Sequence, residues 1–580
     1  MKYVGIDIGD GESAVTIVSR DGVLIPTVVP LKNTKSIRSI VGKLNGDPII
    51  GDAVVLNHAV TNRSARFKSR FLYDTKASED LELFAKGLYE ILTQTLHDDD
   101  LKIALGCPAA WKQEARERYA QTVMRAGFPT LYTVSESRAA FLYAHYCNEL
   151  GISAELLSRP TLVIDIGSST IDYAYIVDGK ERDVGVFGEE QLGGGMLDEL
   201  ILDYAVEQSP DKKKIREIFK TVPSWKSYCE LIARKLKEQY FLNEERWAEK
   251  SCSDVAPIYM DEHTLLSLTI SISGTIMQTL LKRGIDSLNH RSFLQALQDT
   301  LKRAKEMTSE HVPELLIVTG GASRMQFFQD ACRKTFPHAQ LALCNEPEFS
   351  IARGLGIAAR TDHILSQFRA EISEYFKSGV VEQEIQLHMP HLLPNYVPKA
   401  AELLEQHGVL DAITNYKGNV RNASQFHAYV KDKIGNVLQN QDMMKDADHI
   451  INVWIEKHLT RVQEDLDNIC DRYQIDRADM SLLKIRAEIK LNQIHIPLSI
   501  RVFAVLQQTW GLRKVSRVVR DLMQFLSNGN SIMARRLRRQ LNAELSDPNG
   551  VFAKMLAEHL VRDLQEQIDA QTKKVEIQIS

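Results

Sequence analysis

The sequence has few cysteines, no long hydrophobic run and little net charge. Its seven cysteines include no Cys-x-x-Cys pair, which argues against a disulfide framework or a zinc site and favours a reducing compartment. The most apolar late stretch, residues 494–510, is interrupted by a proline and by polar side chains, so it is too polar and too short to span a bilayer. The N-terminus is typical of a strand entering a glycine turn and not of a signal peptide. Together these features predict a cytoplasmic protein.

The composition is that of an ordinary globular protein, with 44% hydrophobic and 25% charged residues. The 580 residues allow roughly two to four domains, and a chain of this length can bury large cores without disulfides or metals. The formal net charge of −5 argues neither for nor against a polyanionic partner.

The character of the chain changes near residues 362–370. Residues 1–365 alternate strand-like and helix-like segments with glycines at the turns, which is an α/β pattern. Residues 366–580 have few glycines and long segments of helical periodicity, such as 446–473 and 512–526. We predict an α/β domain followed by a mostly α-helical domain. Three prolines, Pro390, Pro394 and Pro398, punctuate the start of the helical part, and Lys574–Ile579 is interpreted as a strand or a tail.

One internal repeat predicts a duplicated topology. Residues Val4–Val18 and Val163–Val177 each contain a β-branched run, the tripeptide Asp-Ile-Gly, a turn of small or polar residues and an alternating strand. The repeat indicates two lobes of similar build, and it places Asp7 and Asp165 at equivalent strand ends.

A tight turn of small residues exposes backbone N–H groups that can bind phosphate oxygens. Two such hairpins facing each other could clamp the phosphates of a nucleotide, with the two aspartates suited to Mg²⁺ beneath them. The alternative is a pair of ordinary hairpins whose aspartates cap turns; the duplication favours the nucleotide site. The candidate residues are Asp7, Gly9, Asp10 and Gly11 in the first hairpin and Asp165, Gly167, Ser168, Ser169 and Thr170 in the second.

A third element, Leu315–Phe336, is typical of a buried strand, a Gly320-Gly321 turn and a helix. The two glycines would let a flat ligand such as adenosine approach the backbone closely. The alternative is that this segment is an ordinary strand-to-helix turn, as found in any α/β protein.

Five segments, taken in order over roughly the first 360 residues, resemble the superfamily of actin, sugar kinases and heat-shock ATPases. Among these, the resemblance is greatest to the nucleotide-binding domain of DnaK-type (seventy-kilodalton heat-shock) chaperones. It implies a two-lobed, actin-like ATPase fold with duplicated ribonuclease-H-like lobes, binding ATP or ADP with Mg²⁺. The segments are Gly5–Ser13; Gly51–Phe71; Cys107–Gly127 with Ser135–Ala144; Val163–Ile176 with Leu192–Asp198; and Val318–Phe328 with Glu346–Ala359.

The resemblance also implies roles for individual residues. Asp7 and Asp165 would hold Mg²⁺ through its waters, and Lys68 would stabilise charge that develops on the γ-phosphoryl group. Glu136 would help to position the attacking water, and Thr170 would bond the γ-phosphate. Lys68 lies in a basic run, so a simply solvated side chain is the alternative. Further nucleotide-binding residues implied by the resemblance are Gly193, Gly194, Gly195, Glu230, Arg234, Gly320, Gly321, Ala322 and Ser323.

The sequence departs from the family pattern at two places. Asp10, Gly11 and Glu12 stand where the family usually has threonines, and extra acids near a triphosphate cost attraction unless they point away or meet the metal. Serines, Ser168 and Ser169, stand where glycines are common. The family's hydrophobic linker and β-sandwich peptide-binding domain are not recognisable after residue 360, so cycling of client peptides is not implied.

A basic segment marks the C-terminal region. Residues 511–540 contain eight Lys or Arg and one acid, beside an apolar helical face. They form either a core-facing helix with a solvated basic side or a surface for an acidic partner protein or an anionic membrane. Nucleic acid is less favoured, because no aromatic residues are interleaved for base stacking.

The sequence as a whole predicts an ATP-driven, chaperone-like switch. Its lobes would close around Mg-ATP, hydrolyse it weakly and signal to the helical domain, which would bind a protein partner or client. The alternatives are an actin-like filament-forming ATPase and a non-hydrolysing nucleotide-binding scaffold, and oligomerisation remains open. A sugar kinase is less favoured, because the segments 59–71 and 107–111 resemble the chaperones instead.

Overall fold

The structure is a computed structural model. It describes residues 1–403 except 20–24, 58, 97–100, 147–151, 178–179, 183–187, 190–191 and 260–263, together with most of 429–482, residue 539 and most of 542–579. The chain divides into two compact units, Met1–His363 and Ile364–Ile579.

The first lobe of unit one is built on a sheet that begins with the first Asp-Ile-Gly hairpin. Strands β1 and β2 pair antiparallel, β1, β8 and β9 are parallel, and the sheet order is β3-β2-β1-β8-β9 with β4 also on β2. Strands β5, β6 and β7 form a separate antiparallel sheet. The elements are β1 Lys2–Ile8, β2 Glu12–Ser19, β3 Thr27–Val28, β4 Ser36–Arg38, β5 Ile40–Leu44, β6 Asp47–Ile50, α1 Asp52–Leu56, β7 Thr61–Ala65, α2 Phe67–Arg70, α3 Thr75–Thr95, β8 Leu101–Cys107, α4 Gln113–Arg125, β9 Leu131–Ser135 and α5 Glu136–Tyr146.

The second lobe repeats this topology around the second hairpin. Strands β10 and β11 pair antiparallel, β10, β16 and β17 are parallel, and the order is β12-β11-β10-β16-β17 with β13 also on β11. The elements are α6 Ala154–Leu157, β10 Thr161–Ile166, β11 Ile171–Val177, β12 Lys180–Arg182, β13 Gly188–Glu189, α7 Gly194–Gln208, α8 Lys212–Thr221, α9 Pro223–Leu242, α10 Glu244–Trp247, β14 Cys252–Tyr259, β15 Leu265–Ile272, α11 Gly274–Lys282, α12 Phe293–Met307, β16 Leu315–Thr319, α13 Gln326–Thr335, β17 Gln340–Leu343 and α14 Ser350–Lys377, with short 3₁₀ turns at Asp286–Leu288, Gly321–Arg324 and Pro347–Phe349. The two matching sheets confirm the duplicated, two-lobed α/β fold.

Two helices pack between the two sheets and join the lobes. Small residues of α5 and α14, including Ala139 and Ala358, share one buried cluster with Ala104 of the first sheet and Val163 of the second. The two helices cross closely at Gly354, where a Cβ would lie only 1.7 Å from the backbone oxygen of Ala139. This crossing holds the lobes beside each other and requires a residue without a side chain.

The second unit is helical throughout its described residues, which confirms the prediction of a mostly helical C-terminal region. Besides the end of α14, its elements are α15 Val380–Leu403, α16 Gln441–His458, α17 Thr460–Tyr473, a 3₁₀ turn at Arg477–Met480 and α18 Val551–Ile579. They enclose an apolar core of their own that includes Phe368, Tyr396, Trp454, Leu466 and Phe552. Burial of one apolar face of each helix stabilises such a bundle.

Several details of the helical region differ from the sequence-based expectation. The three prolines do not interrupt the start of the region but lie inside α15. They recur every fourth residue on the exposed face, where the carbonyl groups that lose an N–H partner can bond to water. The interpretation of Lys574–Ile579 as a strand or tail is wrong, because these residues end α18. The predicted segment 446–473 is two helices, which meet at Leu459.

The helix predicted at 512–526 lies outside the described residues, and so does the basic segment 511–540 apart from residue 539. Within the described part of the chain, no helix has the length and apolar character that crossing a membrane requires.

Candidate nucleotide-binding site

The two Asp-Ile-Gly hairpins line one cleft between the lobes. In each of them the glycine N–H donates to the carbonyl that follows the turn: Gly9 to Glu12 and Gly167 to Thr170, both at 3.0 Å. The cleft has a volume of about 1710 Å³ and is also lined by the turn at Gly320. The two copies of the sequence repeat therefore form two similar turns that line the same cleft.

Most of the predicted site residues lie on this cleft, and four do not. Gly193 and Gly195 lie under the second turn, where a Cβ would come within 2.4 Å and 3.0 Å of the Ser168 carbonyl oxygen. Glu230 pairs with Lys226 at 3.3 Å instead of reaching the cleft. Ser323 is buried and donates to the carbonyl of Gly320 at 2.6 Å. The predicted residues on the cleft are Asp7, Gly9, Asp10, Gly11, Lys68, Glu136, Asp165, Gly167, Ser168, Ser169, Thr170, Gly194, Arg234, Gly320, Gly321 and Ala322.

Lys68 is buried among carboxylates at the floor of the cleft. Its ammonium group forms an ion pair and hydrogen bond with Oε1 of Glu136, and it lies 3.7 Å from Oδ1 of Asp7. Burial alone would lower the pKa of Lys68, but the carboxylates of Glu136 and Asp7 outweigh it and raise that pKa. The alternative of a solvated lysine in a basic run does not hold, since the side chain is only 8% exposed.

The floor of the cleft has more carboxylates than the single ammonium group of Lys68 can neutralise. Burial raises the pKa of Asp7 to about 6, against the opposing charge of Lys68, and burial also raises the pKa of Asp165. In the described part of the chain, Oδ1 of Asp165 is buried without a hydrogen-bond partner. An excess of buried carboxylates with an unmet acceptor suits a hydrated cation. No group of three or more His, Cys, Asp or Glu side chains among the described residues is arranged to hold a metal directly.

The predictions from sequence missed Asp172. It lies on β11 opposite Asp165, and its carboxylate accepts a 2.6 Å hydrogen bond from the Thr170 hydroxyl. Asp172 is exposed to the cleft, but desolvation by the surrounding protein still raises its pKa to about 6. The available signal was a charged residue inside the otherwise apolar strand that follows the turn, which seldom occurs without a partner or a function.

The carboxylates of the two extra acids of the first turn both accept hydrogen bonds from protein donors. The Asp10 carboxylate accepts from the Ser69 backbone N–H at 3.1 Å, next to Lys68. The Glu12 carboxylate accepts from Arg234 at 2.5 Å and from the Ser36 hydroxyl at 2.7 Å. Both carboxylates are thus engaged, which reduces the repulsion of phosphate expected from the sequence.

The turn at Gly320 has a backbone that only glycine adopts readily. Its φ is +81°, and a Cβ there would lie 2.3 Å from the Ile166 carbonyl oxygen and 2.5 Å from Oδ1 of Asp165. The turn therefore packs directly on the end of β10. Beside it, Arg324 forms a two-pronged ion pair with Glu348, with N–O distances of 2.9 Å and 3.1 Å.

The comparison with protein families agrees with this geometry. Residues 85–369 match the model of the family described as Hsp70 protein. The match supports an actin/Hsp70-type nucleotide-binding domain in the α/β part of the chain and, in general terms, a nucleotide-binding, chaperone-like function. The matched residues contain Glu136, the second hairpin and the Gly320 turn. They exclude the first hairpin and Lys68.

Proposed function

We propose that this protein binds Mg-ATP and Mg-ADP between its two lobes, hydrolyses ATP slowly, and couples the nucleotide state to a helical partner-binding region. The single observation that carries the proposal is the pair of like hairpins lining one cleft, with Lys68 among carboxylates at its floor. The matched family, whose members bind ATP or ADP with Mg²⁺, supports the choice of nucleotide.

Each group on the floor has a proposed task. Asp7 and Asp165 would hold Mg²⁺ through its waters, and the metal would supply charge neutralisation for the phosphates. Lys68 would stabilise negative charge that develops on the γ-phosphoryl oxygens, and Glu136, paired with Lys68, would orient water for attack. The Thr170 hydroxyl has one proton, which Asp172 now accepts, so a bond to the γ-phosphate requires that hydroxyl to rotate.

We expect nucleotide binding to require Mg²⁺ and to strengthen as the pH rises. Asp7 must be ionised to hold the metal, and its pKa is raised to about 6, so its ionised fraction grows about tenfold between pH 5 and pH 7. Calorimetry with ATP and ADP, with and without Mg²⁺, should therefore show about a tenfold gain in metal-dependent affinity over that range. Asp7→Asn should remove most of the metal dependence. An absence of binding at millimolar nucleotide at pH 7 would refute the proposed function.

The stability of the ligand-free protein should respond to pH in the opposite sense. A carboxyl whose folded pKa lies above its unfolded value near 4 binds protons better in the folded state. Asp7 thus stabilises the fold below pH 4 and loses this contribution as the pH rises through 6. The rise in melting temperature caused by Mg-ADP should consequently be larger at pH 7 than at pH 5.

The helical region is the proposed site for a protein partner or client. Its separate apolar core supports an independent module, whereas the acidic-partner or anionic-membrane role of residues 511–540 stays a prediction on residues outside the described ones. Pull-downs with the full chain in ATP, in ADP and without nucleotide should recover different amounts of the same partner. A truncated chain ending at residue 365 should keep nucleotide binding and lose the partner. Equal recovery in all three states would favour a constitutive scaffold instead.

A cytoplasmic location is proposed as well. It is supported by the cysteines of the sequence, whose number of seven is odd and which include no Cys-x-x-Cys pair.

A further inference from the structure

An ion pair joins the two lobes beside the two hairpins. Glu12 is the first residue of β2 in the first lobe, and Arg234 lies on α9 in the second. The Nη2 atom of Arg234 donates to Oε1 of Glu12 at 2.5 Å. The other carboxylate oxygen of Glu12 accepts from the Ser36 hydroxyl of its own lobe at 2.7 Å, so the carboxylate is oriented toward the opposite lobe.

The pair lies where the hairpins come closest. A Cβ on Gly11 would lie 2.6 Å from the Ser168 Cβ of the second hairpin and 3.6 Å from Nη1 of Arg234. Glu12, Arg234 and both turns all line the cleft. Movement of the two turns away from each other would therefore also separate Glu12 from Arg234.

The charge environment favours a persistent bond. Burial alone would lower the pKa of Arg234, but the carboxylates of Glu12 and Glu238 outweigh it, so the guanidinium stays charged. Its side chain is 16% exposed, and that of Glu12 is 37% exposed. The ion pairs Arg66–Glu199 and Lys35–Glu346 also join the lobes, but Arg66 and Lys35 are 50% and 62% exposed. Water and salt weaken exposed pairs most, so the pair at Glu12 should resist opening more than these two.

We propose that Glu12 and Arg234 form a gate whose opening limits the exchange of adenine nucleotide, an inference that rests on the proposed function. Glu12 is a positioning residue in this account, because it acts through Arg234 and the separation of the lobes. Its bond to Arg234 would slow the separation of the lobes and with it the release of nucleotide.

The test is the release of a fluorescent ADP analogue from the full chain, followed by stopped flow after addition of excess ATP. Glu12→Gln keeps the size of the side chain but removes its charge, and should release the analogue about five- to thirtyfold faster. Added salt should speed release from the unmodified protein more than from this variant, because only the former has the charge pair to screen. Glu238→Gln is the matched control: it removes the other carboxylate on Arg234, within the same helix, and should change release less than about twofold.

Two further variants allow the proposal to be tested even if Glu12→Gln does not fold. Ser36→Ala leaves both charges in place but removes the hydrogen bond that orients the Glu12 carboxylate. It should give a release rate between those of the unmodified protein and Glu12→Gln. Glu12→Arg combined with Arg234→Glu exchanges the charges and should release more slowly than either single change. Unchanged release in Glu12→Gln and Ser36→Ala, with nucleotide still bound, would overturn the gate alone. Failure of the unmodified protein to bind the analogue at any concentration would overturn the proposed function and the gate with it.

Discussion

Replacing Lys68 by alanine is expected to leave nucleotide affinity nearly intact and to lower ATP turnover about ten- to a thousandfold. The ammonium group is buried beside Glu136 and Asp7, so it is the cation of the cleft floor closest to the carboxylates proposed to hold water and metal. A group that acts mainly on charge formed in the transition state lowers turnover more than binding when it is removed.

The measurement is single-turnover hydrolysis with affinity determined in parallel by calorimetry. Lys76→Ala is a suitable control, because Lys76 is exposed at the start of α3 and does not line the cleft. Circular dichroism must show that Lys68→Ala is folded, since it leaves two buried carboxylates without their cation. Equal turnover in Lys68→Ala and the unmodified protein would show that the proposed role is wrong and would favour the non-hydrolysing scaffold.

Replacing Gly354 by alanine is expected to destabilise the first unit by about 3 kcal/mol or to prevent its folding. The added Cβ would lie 1.7 Å from the oxygen and 2.3 Å from the carbon of the Ala139 carbonyl. These are backbone atoms in the first turn of α5, so a shift of the helix is needed to relieve the contact. Since α5 begins with Glu136, the shift should also disturb the cleft floor.

Urea denaturation followed by a spectroscopic probe of the α/β unit measures this effect. Gly321→Ala is the matched control for stability, because the nearest atom to its added Cβ is the Glu348 Cβ at an ordinary 3.8 Å. It should change the free energy of unfolding by less than about 1 kcal/mol. An unchanged midpoint in Gly354→Ala would show that α5 and α14 do not cross as closely as described.

The fold was predictable where the signal was local and repeated. The turn after Asp-Ile-Gly depends on neighbouring residues, and its recurrence in the sequence indicates two lobes. The sheet pairings β1–β2 and β10–β11 confirm that topology. Gly193 and Gly195 illustrate the limit: they follow the second hairpin in sequence, but their proximity to Ser168 puts them beneath the turn and not on the cleft.

Other features depend on groups far apart in the chain. Glu12 and Arg234 are 222 residues apart, and nothing in the first turn indicates that its acid would reach the opposite lobe. Some sequence-based predictions for the helical region were wrong for a related reason. Prolines weaken an isolated helix, but burial of Leu392, Leu393 and Val397 against the core of the second unit favours a continuous α15.

The most direct measurement of the central claim is a crystal structure of the full chain with Mg²⁺ and ADP. We expect the phosphates between the turns at Gly9–Gly11 and Gly167–Thr170, the metal and its waters beside Asp7 and Asp165, and the base near the Gly320 turn. In the same structure, the gate predicts that Arg234 is still paired with Glu12. Nucleotide bound away from the two hairpins, or an empty cleft in crystals grown at saturating Mg-ADP, would contradict the account.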